Sequence, residues 1–98
     1  MIVSFRDRWL RDLYLSDRGS KKIPSEIEAR LFRKLQLIDD ATCDMDLRSP
    51  PSNHLEKLKG KLAGKYSIRV NKQWRQVFEW SGERGEARDI YLDNHDYR

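Results

Sequence analysis

Seven cations and no carboxylate lie between Lys57 and Arg75: Lys57, Lys59, Lys61, Lys65, Arg69, Lys72 and Arg75. Cations without competing acids, set on a sheet with aromatics, suit the phosphate backbone of a nucleic acid. The excess is local, because the chain as a whole has 20 Lys and Arg against 16 Asp and Glu, a formal net charge of +4. Arg69 and Arg75 flank a turn at Asn71-Lys72-Gln73, and strand alternation puts both on one open face with Ser67 and Val77. Ile68, Val70, Trp74 and Phe78 take the other face, toward helices. Outward arginines are often no more than solubilising; here their place in the acid-free run points to phosphate contact. The tail His95-Asp96-Tyr97-Arg98 adds four functional side chains with no apolar purpose, and it follows directly from the last strand. Tyr91 and Tyr97 are candidates for exposed stacking, whereas Tyr66, Trp74, Phe78 and Trp80 share one parity and read as core.

Other chemistries find little support. The two histidines, His54 and His95, are far apart and Cys43 is the single cysteine, so no metal-site pattern stands out and no internal disulfide can form. No nucleophile elbow, Walker loop or dinucleotide fingerprint is present. Lys59-Gly60-Lys61-Leu62-Ala63-Gly64-Lys65 looks loosely like a phosphate loop but lacks the Gly-Lys-Ser/Thr ending, and it reads as a flexible, solvated connection.

The elements that must position these residues follow from periodicity. Ninety-eight residues with 38% hydrophobic content suit one domain spanning residues 1–98, with one core built from two layers. Ile2 to Phe5 is expected to be a strand that pairs with a distant partner. Asp7 to Ser16 places Trp9, Leu13 and either Leu10 or Tyr14 on one helical face. Ile27, Leu31, Leu35 and Ile38 form an amphipathic stripe over a helix from about Pro24 to Ala41. Asp46 to Asn53 reads as a loop, because Pro50-Pro51 excludes helix and central strand. Three strands follow: about Tyr66 to Val70, Trp74 to Trp80 and Arg88 to Asn94, with Tyr91 and Asp93 outward on the last. The order β-α-α-β-β-β implies an α+β fold, an antiparallel meander with both helices on one face. No apolar run approaches a membrane span, and a reducing cytoplasm is the expected location.

Several segments in this order resemble the HigB-type "killer" toxins, a branch of the RelE/ParE superfamily of bacterial type II toxin–antitoxin systems. They are Met1-Ile2-Val3-Ser4-Phe5, Leu37-Ile38-Asp39-Asp40-Ala41-Thr42, Asp46-Leu47-Arg48-Ser49-Pro50-Pro51, Leu55-Glu56-Lys57-Leu58-Lys59-Gly60, Tyr66 through Arg75, and Asp96-Tyr97. The resemblance implies a RelE-like, microbial-ribonuclease-type fold, with an N-terminal strand and two helices on one face of a twisted antiparallel sheet. It implies ribosome-dependent cleavage of messenger RNA in the decoding site of the 70S ribosome, without metal or other cofactor. A cognate HigA-type antitoxin would neutralise the toxin, and operator DNA would be bound only through the antitoxin complex.

Carried over by position, Lys59 and Arg75 match basic positions of the family's cleft, and Asp96-Tyr97 matches its C-terminal Asp-Tyr. Glu56 stands where some relatives have a histidine and is a candidate base. The family usually closes with a histidine after the tyrosine; Arg98 stands there in this chain, and His95 precedes the pair. Lys57, Lys61, Lys65, Arg69, Lys72, Tyr91 and His95 complete the expected RNA surface. Two alternatives accompany this reading: a non-nuclease toxin that poisons DNA gyrase, as the ParE branch does, and a catalytically weakened member acting mainly as an antitoxin-binding co-regulator.

Overall fold

The computed structural model describes residues 1–94; the expectations for His95, Asp96, Tyr97 and Arg98 lie outside the described residues. Helix α1 (Arg8–Ser16) buries Leu10 and Leu13. A 3-10 turn over Ser25–Ile27 leads into α2 (Glu28–Asp40), which buries Leu31, Leu35 and Ile38, three residues of the stripe read from the sequence. Pro24 sits just before that turn, where its missing N–H removes no helical hydrogen bond.

The proline-containing segment is more structured than the sequence suggests. A short helix α3 (Asp44–Arg48) precedes a 3-10 turn over Pro51–Asn53, and the Ser49–Pro50 peptide bond is cis. The prolines exclude only residues that follow α3, so the helix ends before them. Asp44 then ties α3 to the sheet. Its carboxylate accepts the Trp80 indole N–H at 2.7 Å and the Tyr66 hydroxyl at 3.1 Å.

Four antiparallel strands run in the order β1 (Glu56–Lys57), β2 (Lys65–Arg69), β3 (Trp74–Ser81) and β4 (Glu86–Asn94). The two-residue β1 was not expected, because nothing in Glu56-Lys57 alternates. The Lys59 to Lys65 connection is also not merely solvated, since Gly60–Leu62 forms a 3-10 turn and the Leu58 N–H bonds Lys65 O at 2.8 Å.

The N-terminal segment pairs with β4 through two parallel bridges, Ile2 to Ala87 and Phe5 to Ile90, rather than through a regular strand. Its partner explains the interruption. Strand β4 bulges opposite Phe78, with Asp89 at φ 56°. The extra residue lets Ala87 and Ile90, three apart, both face the core. Asp7 joins these pieces: its carbonyl accepts the Leu10 and Arg11 N–H groups, and its carboxylate accepts the Leu92 N–H at 3.1 Å.

Leu10, Leu13, Ile27, Leu31, Leu35, Ile38 and Leu47 pack against Ile68, Val70, Phe78, Ala87 and Ile90, with Tyr66, Trp74 and Trp80 partly buried beside them. All helices therefore cover one face of the sheet. The opposite face carries the candidate site.

Candidate functional site

The register fixes which side chains share the uncovered face. Arg69 pairs with Arg75 and Ser67 with Val77 across β2 and β3; Arg75 pairs with Asp93 and Val77 with Tyr91 across β3 and β4. Glu56 of β1 joins them opposite Ser67. One face thus carries Glu56, Ser67, Arg69, Arg75, Tyr91 and Asp93, the parity expected from alternation.

That face is not open at its centre. Arg75 is only 6% exposed and Ser67 only 2%. The Arg75 guanidinium donates from Nε to Ser67 Oγ at 2.8 Å, and from one terminal nitrogen to His54 O at 2.5 Å and Ser67 O at 3.2 Å. Its other terminal nitrogen lies 3.5 Å from a Glu56 carboxylate oxygen. Withdrawing a lone cation from water costs several kcal/mol unless hydrogen bonds and a counter-charge offset it. Three fixed acceptors and one carboxylate supply that offset, so the guanidinium is held in one orientation. The Glu56 side chain is half-exposed, which leaves a carboxylate at the solvent edge of a buried cation.

His54 holds its place because the turn before it is locked. It adopts a left-handed conformation, φ 44° and ψ 55°, at the end of the Pro51–Asn53 turn. Fully buried Asn53 donates to Leu47 O at 3.0 Å and Ser49 O at 3.1 Å, and its side-chain oxygen accepts from Lys34 Nζ. Burial, followed by the neighbouring charges of Arg30 and Arg33, lowers the Lys34 pKa below the ordinary lysine value. Neither Asn53 nor Lys34 stands out in the sequence. The available signal was Asn53 two residues after Pro50-Pro51, since asparagine and proline both favour turns.

The acid-free run does not form one cationic strip. Lys57 pairs in register with Tyr66 and so belongs to the helix side, with Asp44 at 4.0 Å and the Tyr66 ring 5.6 Å away. Lys65 shares the Arg75 face but is largely covered, 3.4 Å from Glu79 and 3.3 Å from Asp89. These carboxylates come from distant parts of the chain, which is why a local count missed them. Lys59 and Lys61 flank and enter the 3-10 turn after β1 and make no ion pair among the described residues. Lys72 is at the β2–β3 turn, and Arg69 donates from Nε to Asn71 O at 3.1 Å. Tyr91 is not free for stacking on both sides, because the Arg6 guanidinium lies 4.0 Å from its ring centroid. Arg6 also forms a two-point pair with Asp89, at 2.7 and 3.2 Å, which pulls the Asp89 carboxyl below the usual carboxylate range.

Among the described residues, no group of three or more His, Cys, Asp or Glu is placed to hold a metal, and no helix is long and apolar enough to cross a membrane. The chemistry on this face is that of a fixed guanidinium and an adjacent carboxylate.

Known proteins resemble this chain over nearly its whole length. Toxin HigB-1 of Vibrio cholerae serotype O1 is 48% identical over 97 residues, covering 99% of this chain and 100% of its own. Among solved structures, the YoeB–YefM complex from Staphylococcus aureus aligns with a TM-score of 0.56 at 21% identity, covering 99% of this chain and 97% of that one. The toxin–antitoxin complex RelBE2 from Mycobacterium tuberculosis aligns with a TM-score of 0.52 at 22% identity, covering 95% and 87%. These two likenesses show the fold. The family model for the RelE-like toxin HigB of type II toxin–antitoxin systems matches residues 3–95, and the chain belongs to this HigB-like toxin family.

Proposed function

We propose that this toxin is a metal-independent endoribonuclease that cleaves messenger RNA in the decoding site of the 70S ribosome. The observation that carries the reading is the Arg75–Glu56 pair, a guanidinium fixed by Ser67 and His54 beside a half-exposed carboxylate. Cleavage of RNA without metal proceeds by attack of a ribose 2′-OH on the adjacent phosphorus. The bond to the 5′-oxygen breaks and a 2′,3′-cyclic phosphate remains. The reaction needs a base for the 2′-OH, an acid for the departing oxygen and cations for the crowded phosphate. Glu56 takes the 2′-OH proton, while Arg75 and Lys59 stabilise the phosphorane charge. Because Arg75 is already oriented, little reorganisation accompanies charge development.

The remaining roles fall to the chain beyond β4. Asp93 lies in register with Arg75 and Asn94 with Trp74, so β4 ends beside Arg75, which supports this assignment. Tyr97 serves in stacking or protonates the leaving oxygen, Asp96 positions it, and Arg98 adds a cation where the family's usual histidine stands. Arg69, Lys61 and Lys72 bind flanking phosphates. A HigA-type antitoxin neutralises the toxin in the bacterial cytoplasm, as the antitoxin-bound structures with this fold suggest, and operator DNA is contacted through that antitoxin.

Primer extension on a defined message, with and without 70S ribosomes, tests the reading. Cuts that appear only with ribosomes and vanish in Arg75→Ala support it. Intact message in growth-arrested cells with broken DNA would point instead to gyrase poisoning.

A further inference from the structure

Some cations of the described residues face a carboxylate and others do not. Arg6, Lys57, Lys65, Arg75 and Arg88 each lie within 4.0 Å of a carboxylate. Of those that make no such pair among the described residues, five are brought together: Arg30, Arg33 and Lys34 of α2 with Arg69 and Lys72 of the β2–β3 hairpin. These five line a single cavity of about 640 Å³ together with His54, and no Asp or Glu lines it. Gathering like charges without acids works against folding. The spacing Arg30, Arg33, Lys34 puts all three on one helical face, and exposed Arg30 is held toward the hairpin by a hydrogen bond to Val70 O.

The cavity adjoins the Arg75 site through two shared neighbours. His54 lines it, and the His54 carbonyl accepts from Arg75; Arg69 lines it too, and is the cross-strand partner of Arg75. We propose that this cavity is a second phosphate subsite, in which the backbone of the single-stranded RNA engaged at Arg75 continues between α2 and the β2–β3 hairpin. The proposal rests on the nuclease reading for the identity of its polyanion. A regularly charged strand fits better than an acidic peptide, because these cations adjoin the fixed Arg75 that the nuclease reading assigns to a phosphate. Three guanidiniums also match phosphate oxygens in two-point fashion and present planes for bases to stack on.

The test is fluorescence anisotropy of a short 2′-O-methyl RNA, which resists cleavage, titrated with the full chain over a range of salt concentrations. Arg30→Ala/Arg33→Ala is the informative variant, since both residues are exposed and alanine suits a helix. Each phosphate contact to single-stranded RNA contributes about 0.7 to the slope of log K against log salt. Loss of two should flatten the slope by about 1.4 and weaken binding about 25-fold near 0.1 M salt. Arg8→Ala/Arg11→Ala, which removes equal charge from α1, should leave both unchanged. Equal losses in the two variants, or none in the first, overturn the proposal. So does a poly-glutamate probe that loses affinity in Arg30→Ala/Arg33→Ala while RNA does not. Primer extension on ribosomes keeps the two readings apart. Intact message with the slope change retained removes the nuclease and keeps the subsite, whereas cleavage with an unchanged slope removes the subsite alone.

Discussion

Replacement of Asn53 separates the lock from the site it serves. In Asn53→Ala, the Leu47 and Ser49 carbonyls lose their side-chain donors, and Lys34 loses its acceptor. A buried polar group left without a partner costs about 1–3 kcal/mol. Leu47 O is buried and Ser49 O partly so, and together they give a loss of roughly 2–4 kcal/mol. For a domain of this size each kcal/mol lowers Tm by about 4–8 °C, so a fall of roughly 10–25 °C is expected in a circular-dichroism melt. Asn53→Asp sharpens the reasoning. The carboxylate would improve the contact with Lys34, yet it has no N–H to give and would face two carbonyl oxygens. It should therefore be no more stable than Asn53→Ala. Both variants should also cleave poorly at temperatures where they remain folded, since the His54 carbonyl no longer sits fixed against Arg75. An Asn53→Asp protein that melts with the wild type would refute this account of the turn.

Three further outcomes follow from individual contacts. Asp89, held below its ordinary pKa chiefly by the Arg6 hydrogen bond, stabilises the fold above the unfolded carboxyl value and loses that contribution as pH falls through its folded one. Asp89→Asn should thus lower Tm near neutrality, with the difference shrinking in melts carried out increasingly far below about pH 4. Tyr14 donates to Asp39 at 2.7 Å, and burial, reinforced by that bond, raises its pKa. Spectrophotometric titrations of the wild type and Tyr14→Phe should differ by one phenol ionising at the high-pH end of the curve, and the substitution should cost about 1 kcal/mol in denaturant unfolding. Gln76 is fully buried, and its side-chain oxygen has no hydrogen-bond partner among the described residues. Its amide N–H makes only a long bond to Leu31 O, 3.4 Å, so Gln76→Met should keep or raise Tm; a loss of several degrees would mean that the oxygen has a partner such as bound water.

The parts of the fold that depend on local period were legible in the sequence. The stripe Ile27, Leu31, Leu35 and Ile38 and the alternation around Asn71-Lys72-Gln73 gave α2, β2, β3 and the face of Arg75. Features set by distant partners were not. Strand β1 exists only because β2 lies beside it, and the bulge at Asp89 only because two residues must oppose Phe78. Electrostatics failed in the same way: Lys65 looked unopposed until folding brought Glu79 and Asp89 to it. Arg75 was expected on an open face and is buried, because the turn ending at His54 folds over it. Arg30, Arg33 and Lys34 carry no local mark of a site, since nothing near them in sequence shows that the β2–β3 turn stands opposite.

The chemistry turns on whether Arg75 acts as an oriented cation or simply as a buried one. Arg75→Lys retains the charge but cannot reach Ser67 Oγ, Ser67 O, His54 O and Glu56 together. Single-turnover cleavage of a message bound to 70S ribosomes should be measured for both proteins after their folding is confirmed by thermal melts. The expected result is a 2′,3′-cyclic phosphate product from the wild type and a rate lower by about 10²-fold or more in the variant. Equal rates, or no cleavage by the wild-type protein, would contradict the assignment of this face as the nuclease site.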